Sequence, residues 1–401
     1  MLTRFHVNNF KSLLNFEFRP AGVNLIIGTN NAGKTNLCSA LRFLSLSIGS
    51  NLDSAIFVAL GERWNLTNLH VLNNALIEFE MDCALMNGTE AISFNYRLHL
   101  LTRKSGTSDA QTLSVEEERL TATTRGGPFA QTVLLENRGG KARMLNEEGF
   151  VQKRPDAPIY VDARIPDNSS MLSQLFELDN NQRAILFRRF LRSWTYYNLS
   201  PDALRQPDVV QNNETLSGNG QNLSRVLFDL HNLNPRIERK LIETVRLLEP
   251  QLEFFNFWSA DPDHIHLAIE NKDGHRLGAR SISDGTLRFM GLVWVVLMAE
   301  YRARQSGFSP LTIIEEPENG LYVGHLKPLI EMIDVSGQSG QFVFTSHSPY
   351  FIDLFDDNLD GVHILKPGHP SSILVKPDSQ KMKTLLGEMP LGEMHYREML
   401  A

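Results

Sequence analysis

Cysteine is almost missing from this chain. Its 401 residues include two, Cys38 and Cys83, and neither stands in a C-x-x-C pair. A zinc hook or metal knuckle is therefore excluded, and the count fits a reducing cytoplasm rather than a disulfide-stapled secreted domain. Long apolar runs are missing too. The most apolar stretch, Phe289 to Ala299, is too short to span a bilayer. The opening MLTRFHVNNFKSL lacks the apolar core of a signal peptide. The expectation is a cytoplasmic protein with no membrane partner. No heptad pattern lasts beyond about three turns, which excludes a long coiled coil. There are no internal repeats and no low-complexity tails. Positive charge is not in excess: the formal net charge is -7. No global field draws the chain onto nucleic acid, so any DNA contact needs a local basic patch.

One stretch organises the rest. Val23 to Ile27 reads as a short buried strand, and Gly28-Thr29-Asn30-Asn31-Ala32-Gly33-Lys34-Thr35 follows as a full G-x-x-x-x-G-K-T. Leu37, Ala40, Leu41 and Leu44 then recur at helical spacing. A strand before the motif and a helix after it are the context of a P-loop. Gly28 and Gly33 let the backbone bend and approach phosphate without a Cβ in the way. Successive amides across Asn30, Asn31, Ala32, Gly33, Lys34, Thr35 and Asn36 form the expected cofactor cradle at a helix N-terminus. Lys34 is placed to reach the β- and γ-phosphates of ATP, and Thr35 to offer its hydroxyl to Mg²⁺.

Around this motif the pattern is mixed. Residues 2–8 and 14–18 read as a β-hairpin. From Leu76 to Lys104 apolar residues alternate, with Gly88 at the turn, and weaker alternation continues around 112–121, 131–136 and 142–152, split by glycine pairs at 126–127 and 139–140. This is an antiparallel β insert. A short strand at Ile159 to Val161 follows. The middle reads as helical: a helix capped by Ser169, another from Asn181 to Tyr197, then Leu223–Leu233 and Ile237–Leu248. Strands Glu253–Trp258 and His264–Glu270, with the turn 271–274, complete a hairpin-like unit.

Three further motifs lie in the last third. Ser281-Ile282-Ser283-Asp284-Gly285-Thr286-Leu287-Arg288 precedes an apolar helix, Leu287 to Met298, with Ser283 as its cap. The strand Leu311-Thr312-Ile313-Ile314 runs into Glu315-Glu316-Pro317-Glu318, a Walker-B pattern. Glu315 is expected to order Mg²⁺, and Glu316 to polarise the attacking water as general base. Finally, Gln341 to Thr345 reads as a strand that runs into Ser346-His347, with His347 within reach of a γ-phosphate oxygen. Each motif alone also reads as ordinary structure: a capped core helix, a solvated acidic turn, a structural histidine. Their order is what joins them.

That order, with Phe10-Lys11-Ser12-Leu13, SDGTLRF, IIEEPENGL, TSHSP and Gly220-Gln221-Asn222-Leu223, resembles the RecF/SMC-type branch of ABC ATPases. More narrowly, it resembles the bacterial ATPases related to the ATPase half of OLD-family nucleases. The resemblance implies an α/β fold: an ABC-type head with a P-loop α/β core, an antiparallel β insert and a helical middle lobe. Lobe I is expected over 1–165, a helical subdomain over 166–250 and lobe II over 251–401. It also implies a homodimer, or a higher homo-oligomer, that sandwiches ATP and Mg²⁺, with Ser283 and Gly285 of one head facing the γ-phosphate on the other. The stretch after His347 looks too short for the TOPRIM-like nuclease of OLD proteins, so a solitary head is expected.

Two functions follow. The first is an ATP-switched sensor or scaffold for a separate effector such as a nuclease, in anti-phage defence. The alternative is a RecF-like DNA-binding ATPase in repair or genome maintenance. Arg183, Arg188, Arg189 and Arg192, followed by Trp194, Tyr196 and Tyr197, form the one segment suited to grip phosphate and stack bases; it equally suits a solvated basic face with an aromatic core edge. His264 and His266, near Asp261 and Asp263, are the remaining loose metal candidate.

Overall fold

A computed structural model of the chain describes every residue except 63, 71–75, 105–110, 125–130, 148–159, 176–180, 210–214, 260–263, 334–339, 378, 398 and 401. In chain order the strands are β1 (Leu2–Asn8), β2 (Phe16–Phe18), β3 (Val23–Ile27), β4 (Leu76–Asn87), β5 (Glu90–Lys104), β6 (Gln111–Thr124), β7 (Gln131–Arg138), β8 (Lys141–Leu145) and β9 (Tyr160–Arg164). Then come β10 (Thr195–Tyr197), β11 (Asp208–Val209), β12 (Leu252–Trp258), β13 (His264–Asn271), β14 (Arg276–Gly278), β15 (Leu311–Glu315), β16 (Gln341–Ser346), β17 (Val362–Lys366) and β18 (Ile373–Val375).

The centre is a six-stranded sheet in the order β10-β15-β16-β3-β17-β18, parallel except for β18. A parallel sheet needs both faces covered, and β3 shows it. Val23, Leu25 and Ile27 pack into one hydrophobic core, while Ile26 enters the other. The register sets Glu315 beside Thr345 and Ser346 beside Ile27. The ends of β15 and β16 therefore sit level with the strand that leads into the P-loop, in the crevice where open α/β sheets bind ligands.

An eight-stranded sheet, β2-β1-β4-β5-β6-β7-β8-β9, is antiparallel throughout and covers the P-loop helix Lys34–Leu46. The hairpin turn between β4 and β5 is at Gly88, in a left-handed conformation with φ 61, as the alternation implied. This sheet holds a buried acid. Glu118 accepts hydrogen bonds from Met171 N (2.5 Å), Tyr96 Oη (2.9 Å) and Leu172 N (3.2 Å). Burial pushes its carboxyl up to about 7. The contact fastens the segment after β9 to the sheet.

Several elements differ from the sequence reading. The helix expected from Asn181 to Tyr197 ends early: the helix is Gln182–Arg192, and Thr195–Tyr197 forms β10 beside β15. Thr-Tyr-Tyr is a β-favouring run, and a partner strand outweighs helical spacing. The middle of the chain thus contributes a strand to the central sheet. Its second pair of helices runs Leu223–Leu233 and Pro235–Val245. The turn 271–274 leads into β14, which the sequence reading missed. The helix after Ser283 spans Asp284–Ser306, longer than its apolar run. Ser169 opens no long helix; the described segment holds one 3-10 turn, Leu172–Gln174, and Phe176 and Leu178 lie outside the described residues. So do the glycine pair 126–127 and Ile159. Among the described residues no helix is long and apolar enough to cross a membrane.

Candidate active site

The P-loop leaves β3 and enters its helix through Gly33, whose φ of 101 only glycine adopts readily. A Cβ on Gly33 would come within 2.5 Å of Ser372 Oγ and 2.7 Å of Ser12 Oγ. At Gly28 it would fall 2.2 Å from the Leu365 carbonyl oxygen. Gly33 is thus fixed by packing as well as by conformation, and Gly28 by packing. Asn30 and Asn31 are exposed, Ala32 is buried, and Thr35 is exposed at the helix start. The Asn36 amide donates to Ser12 Oγ at 2.8 Å, and Ser372 Oγ donates to the same oxygen at 2.9 Å. Asn36 therefore braces the loop against the Phe10–Leu13 turn. Lys34 Nζ donates to the carbonyls of Gly28 (2.7 Å) and Thr29 (3.2 Å).

Three carboxylates face this lysine. Burial lowers the Lys34 pKa, and the charges of Glu316, Glu315 and Glu318 oppose the shift. Glu315 is buried at the end of β15. Burial raises its pKa, opposed by hydrogen bonds from Cys38 and Tyr196. Cys38 lies three residues beyond Thr35 on the P-loop helix, so Glu315 and the Thr35 hydroxyl flank one turn of that helix. Glu315 Oε1 is buried without a hydrogen-bond partner. A buried acceptor of that kind needs a donor or a cation, and with Thr35 it suits Mg²⁺, a hard ion that takes oxygen ligands.

Glu316 is held from several sides. Its φ is 44, a left-handed conformation unusual for a non-glycine residue. Its N–H donates to the Thr345 carbonyl at 3.0 Å, and its own carbonyl accepts from Arg288 Nη2 at 3.0 Å. Its carboxylate accepts from Asn319 Nδ2 at 2.6 Å and lies 3.2 Å from His347 Nδ1. The two expected catalytic residues are thus in contact, on a half-exposed face. Glu318 is buried behind them, accepting from Ser346 Oγ at 2.5 Å, and burial raises its pKa.

Ser283 caps its helix, accepting from Thr286 N at 3.0 Å. Asp284 pairs with Arg205, which also donates to the Ile282 carbonyl at 3.1 Å. A Cβ on Gly285 would meet the Gly320 carbonyl oxygen at 3.3 Å. The signature turn therefore packs on the loop after the Walker-B strand, with Ser283 and Asp284 exposed.

Sequence reasoning missed Arg288, Arg42 and the true place of Tyr196. Arg288 lies inside the SDGTLRF motif, which was the available signal. Arg42 lies over the Tyr196 ring, 4.5 Å from its centroid. Tyr196 itself faces Glu315, Trp194 is 7% exposed and Tyr197 is fully buried. None of the three is free to stack bases, and Arg183 is paired with Glu147 at 3.3 Å. The segment is a core edge. His266 stacks on Trp258, ring centroids 4.2 Å apart. Among the described residues no group of three or more His, Cys, Asp or Glu side chains is arranged to hold a metal; Asp261 and Asp263 lie outside them.

Residues 154–353 match the protein family described as "AAA domain, putative AbiEii toxin, Type IV TA system". That stretch includes the signature, the Walker-B strand and His347. The DNA replication and repair protein RecF of Shewanella sediminis (strain HAW-EB3) is 34% identical over 76 residues, 18% of this chain and 21% of that protein. The match thus spans about a fifth of the RecF relative's length. Among solved structures, an SMC head bound to the C-winged helix domain of ScpA superposes with a TM-score of 0.54 at 12% identity, over 96% of this chain and 99% of that one. At that identity the likeness shows the fold.

Proposed function

We propose that this chain, an ABC ATPase of the RecF/SMC type, binds ATP at Gly28–Thr35, closes as a dimer around it and hydrolyses it to switch a separate effector. The observation that carries the catalytic part is the contact between Glu316 and His347 at the strand ends level with the P-loop. Lys34 neutralises the β- and γ-phosphates. Thr35 and Glu315 would hold Mg²⁺, which would supply positive charge to the phosphates when bound. Glu316 accepts the proton of the attacking water, and His347 orients the Glu316 carboxylate and donates to a γ-oxygen. Ser283 and Gly285 of the partner head complete the pocket, and lobes 1–165 and 251–401 change their angle with nucleotide.

The defence role rests on the family description, which names a toxin of a toxin–antitoxin system. In this reading the chain is the nucleotide-switched sensor and a nuclease or similar effector is its partner. The RecF match favours a second reading, a DNA-binding repair ATPase, but the burial of Trp194 and Tyr197 removes the feature that best suited it. Glu316→Gln is the test. It is expected to keep ATP affinity and to lower turnover by at least about 10²-fold. Unchanged turnover would move the base elsewhere, with Glu318 next in line.

A further inference from the structure

Away from the P-loop, a cavity of about 390 Å³ opens beside the signature turn. Arg205, Pro207, Trp258, His266, Gly278 and Arg280 line it. The size suits a small ligand. Trp258, 51% exposed, lies nearly parallel to the His266 ring at an interplanar angle of 14°. The pair forms a supported aromatic platform. Arg205 is committed to Asp284 and the Ile282 carbonyl. Arg280 is exposed and makes no ion pair or hydrogen bond among the described residues. At Gly278 an added Cβ would meet nothing within 4 Å, so this wall faces open space.

We propose that this cavity binds a nucleobase carrying a phosphate, with the base stacked on Trp258 and the phosphate on Arg280. A flat π-system over a half-exposed Trp backed by a second ring is how proteins take bases without reading their edges. A free guanidinium at the rim supplies the fork that matches phosphate oxygens. A bare anion would leave the aromatic platform unused, and a purely apolar ligand would leave Arg280 unused. The base and phosphate belong either to a free nucleotide or to the end of a single strand. Arg205 lines the cavity and pairs with Asp284 of the signature turn, so an occupant sits against a residue that holds the segment the proposed dimer uses. The site itself stands apart from the P-loop reading, because its residues are not those of the P-loop.

The test uses the full chain carrying Lys34→Ala, which removes the lysine contact to nucleotide phosphates at the P-loop. Calorimetric titration with AMP is expected to show one saturable site. Adenosine, lacking the phosphate, and inorganic phosphate, lacking the base, are each expected to bind at least about tenfold more weakly. Trp258→Ala and Arg280→Glu are each expected to weaken AMP by at least about tenfold. Gly278→Phe, whose side chain enters the open space, is expected to abolish binding with circular dichroism and melting temperature unchanged. A short single-stranded DNA binding at least about tenfold more tightly than AMP identifies the source as a strand end; AMP binding as tightly or more tightly identifies a free nucleotide. Binding of AMP that persists in Gly278→Phe, or the absence of binding by both AMP and the strand, would overturn the proposal.

Discussion

His347 Nδ1 lies 3.2 Å from Glu316 Oε1, although the two residues sit at the ends of different strands. The contact aims the carboxylate while leaving both groups half-exposed and open to solvent. His347→Ala is expected to lower turnover by about 10- to 100-fold, with ATP affinity within about threefold of wild type. Steady-state kinetics alongside calorimetry separates the two. A loss of affinity equal to the loss of rate would make His347 a binding residue instead.

Arg288 acts one step behind. It is buried, holds the Glu316 carbonyl and faces Glu318 and Glu316. Arg288→Met leaves Glu316 to keep its left-handed backbone without that hydrogen bond, and removes a buried positive charge that Glu318 and Glu316 face. The expected result is a loss of turnover of about 10-fold or more and a loss of stability of roughly 3 kcal/mol, as when one partner of a buried charge set is removed. Turnover and urea denaturation at wild-type values would assign Arg288 no role.

Gly33→Ala is expected to destabilise the loop and abolish nucleotide binding. The new Cβ would press on Ser372 Oγ and Ser12 Oγ while the backbone stays at φ 101. Gly61, at φ 75 with open space around it, is the control. Gly61→Ala carries only the conformational cost, about 1 kcal/mol, and is expected to bind ATP normally. Equal nucleotide affinity in the two variants would contradict the packing argument.

Glu118 gives a pH prediction. Its folded pKa, about 7, is above the ordinary 4.5. Between those values the folded state holds a proton that the unfolded state has lost. Stability from this group is therefore full below about pH 4.5 and falls as pH rises through 7, by on the order of 3 kcal/mol. Glu118→Gln retains an acceptor for the backbone amides and removes the titration. Urea denaturation at pH 5 and pH 7.5 should show a smaller drop in the variant; an equal drop would mean that the buried carboxyl is already ionised at pH 5.

The parts that were legible in the sequence are local. Gly28–Thr35, the cap at Ser283, Glu315-Glu316 and Ser346-His347 each sit within a few residues, and strand or helix flanks announce them. What stayed hidden depends on contacts across the chain. Ser12, Asn36 and Ser372 meet at one point, yet the outer two are 360 positions apart. Tyr196 looked suited to stacking bases because basic residues followed by aromatics make the same pattern in a core edge. Only the pairing of β10 with β15 shows that Tyr196 faces Glu315 and Tyr197 the core. Length also misled: the signature helix continues past its apolar run because its last turns are solvated and its end is set by Gly307.

The central claim is a composite ATP site shared by two heads, and mixing two dead variants tests it most directly. Lys34→Ala removes the phosphate partner of one half-site. Ser283→Arg sets a bulky cation at the helix N-terminus of the other, against the dipole and against the facing P-loop. Each homodimer has both sites damaged. A heterodimer carries one site with both defects and one with neither. ATPase activity measured on a purified heterodimer is predicted to return to about half the wild-type rate if the sites turn over independently. A confirmed heterodimer with no more activity than either parent would contradict a site shared between heads.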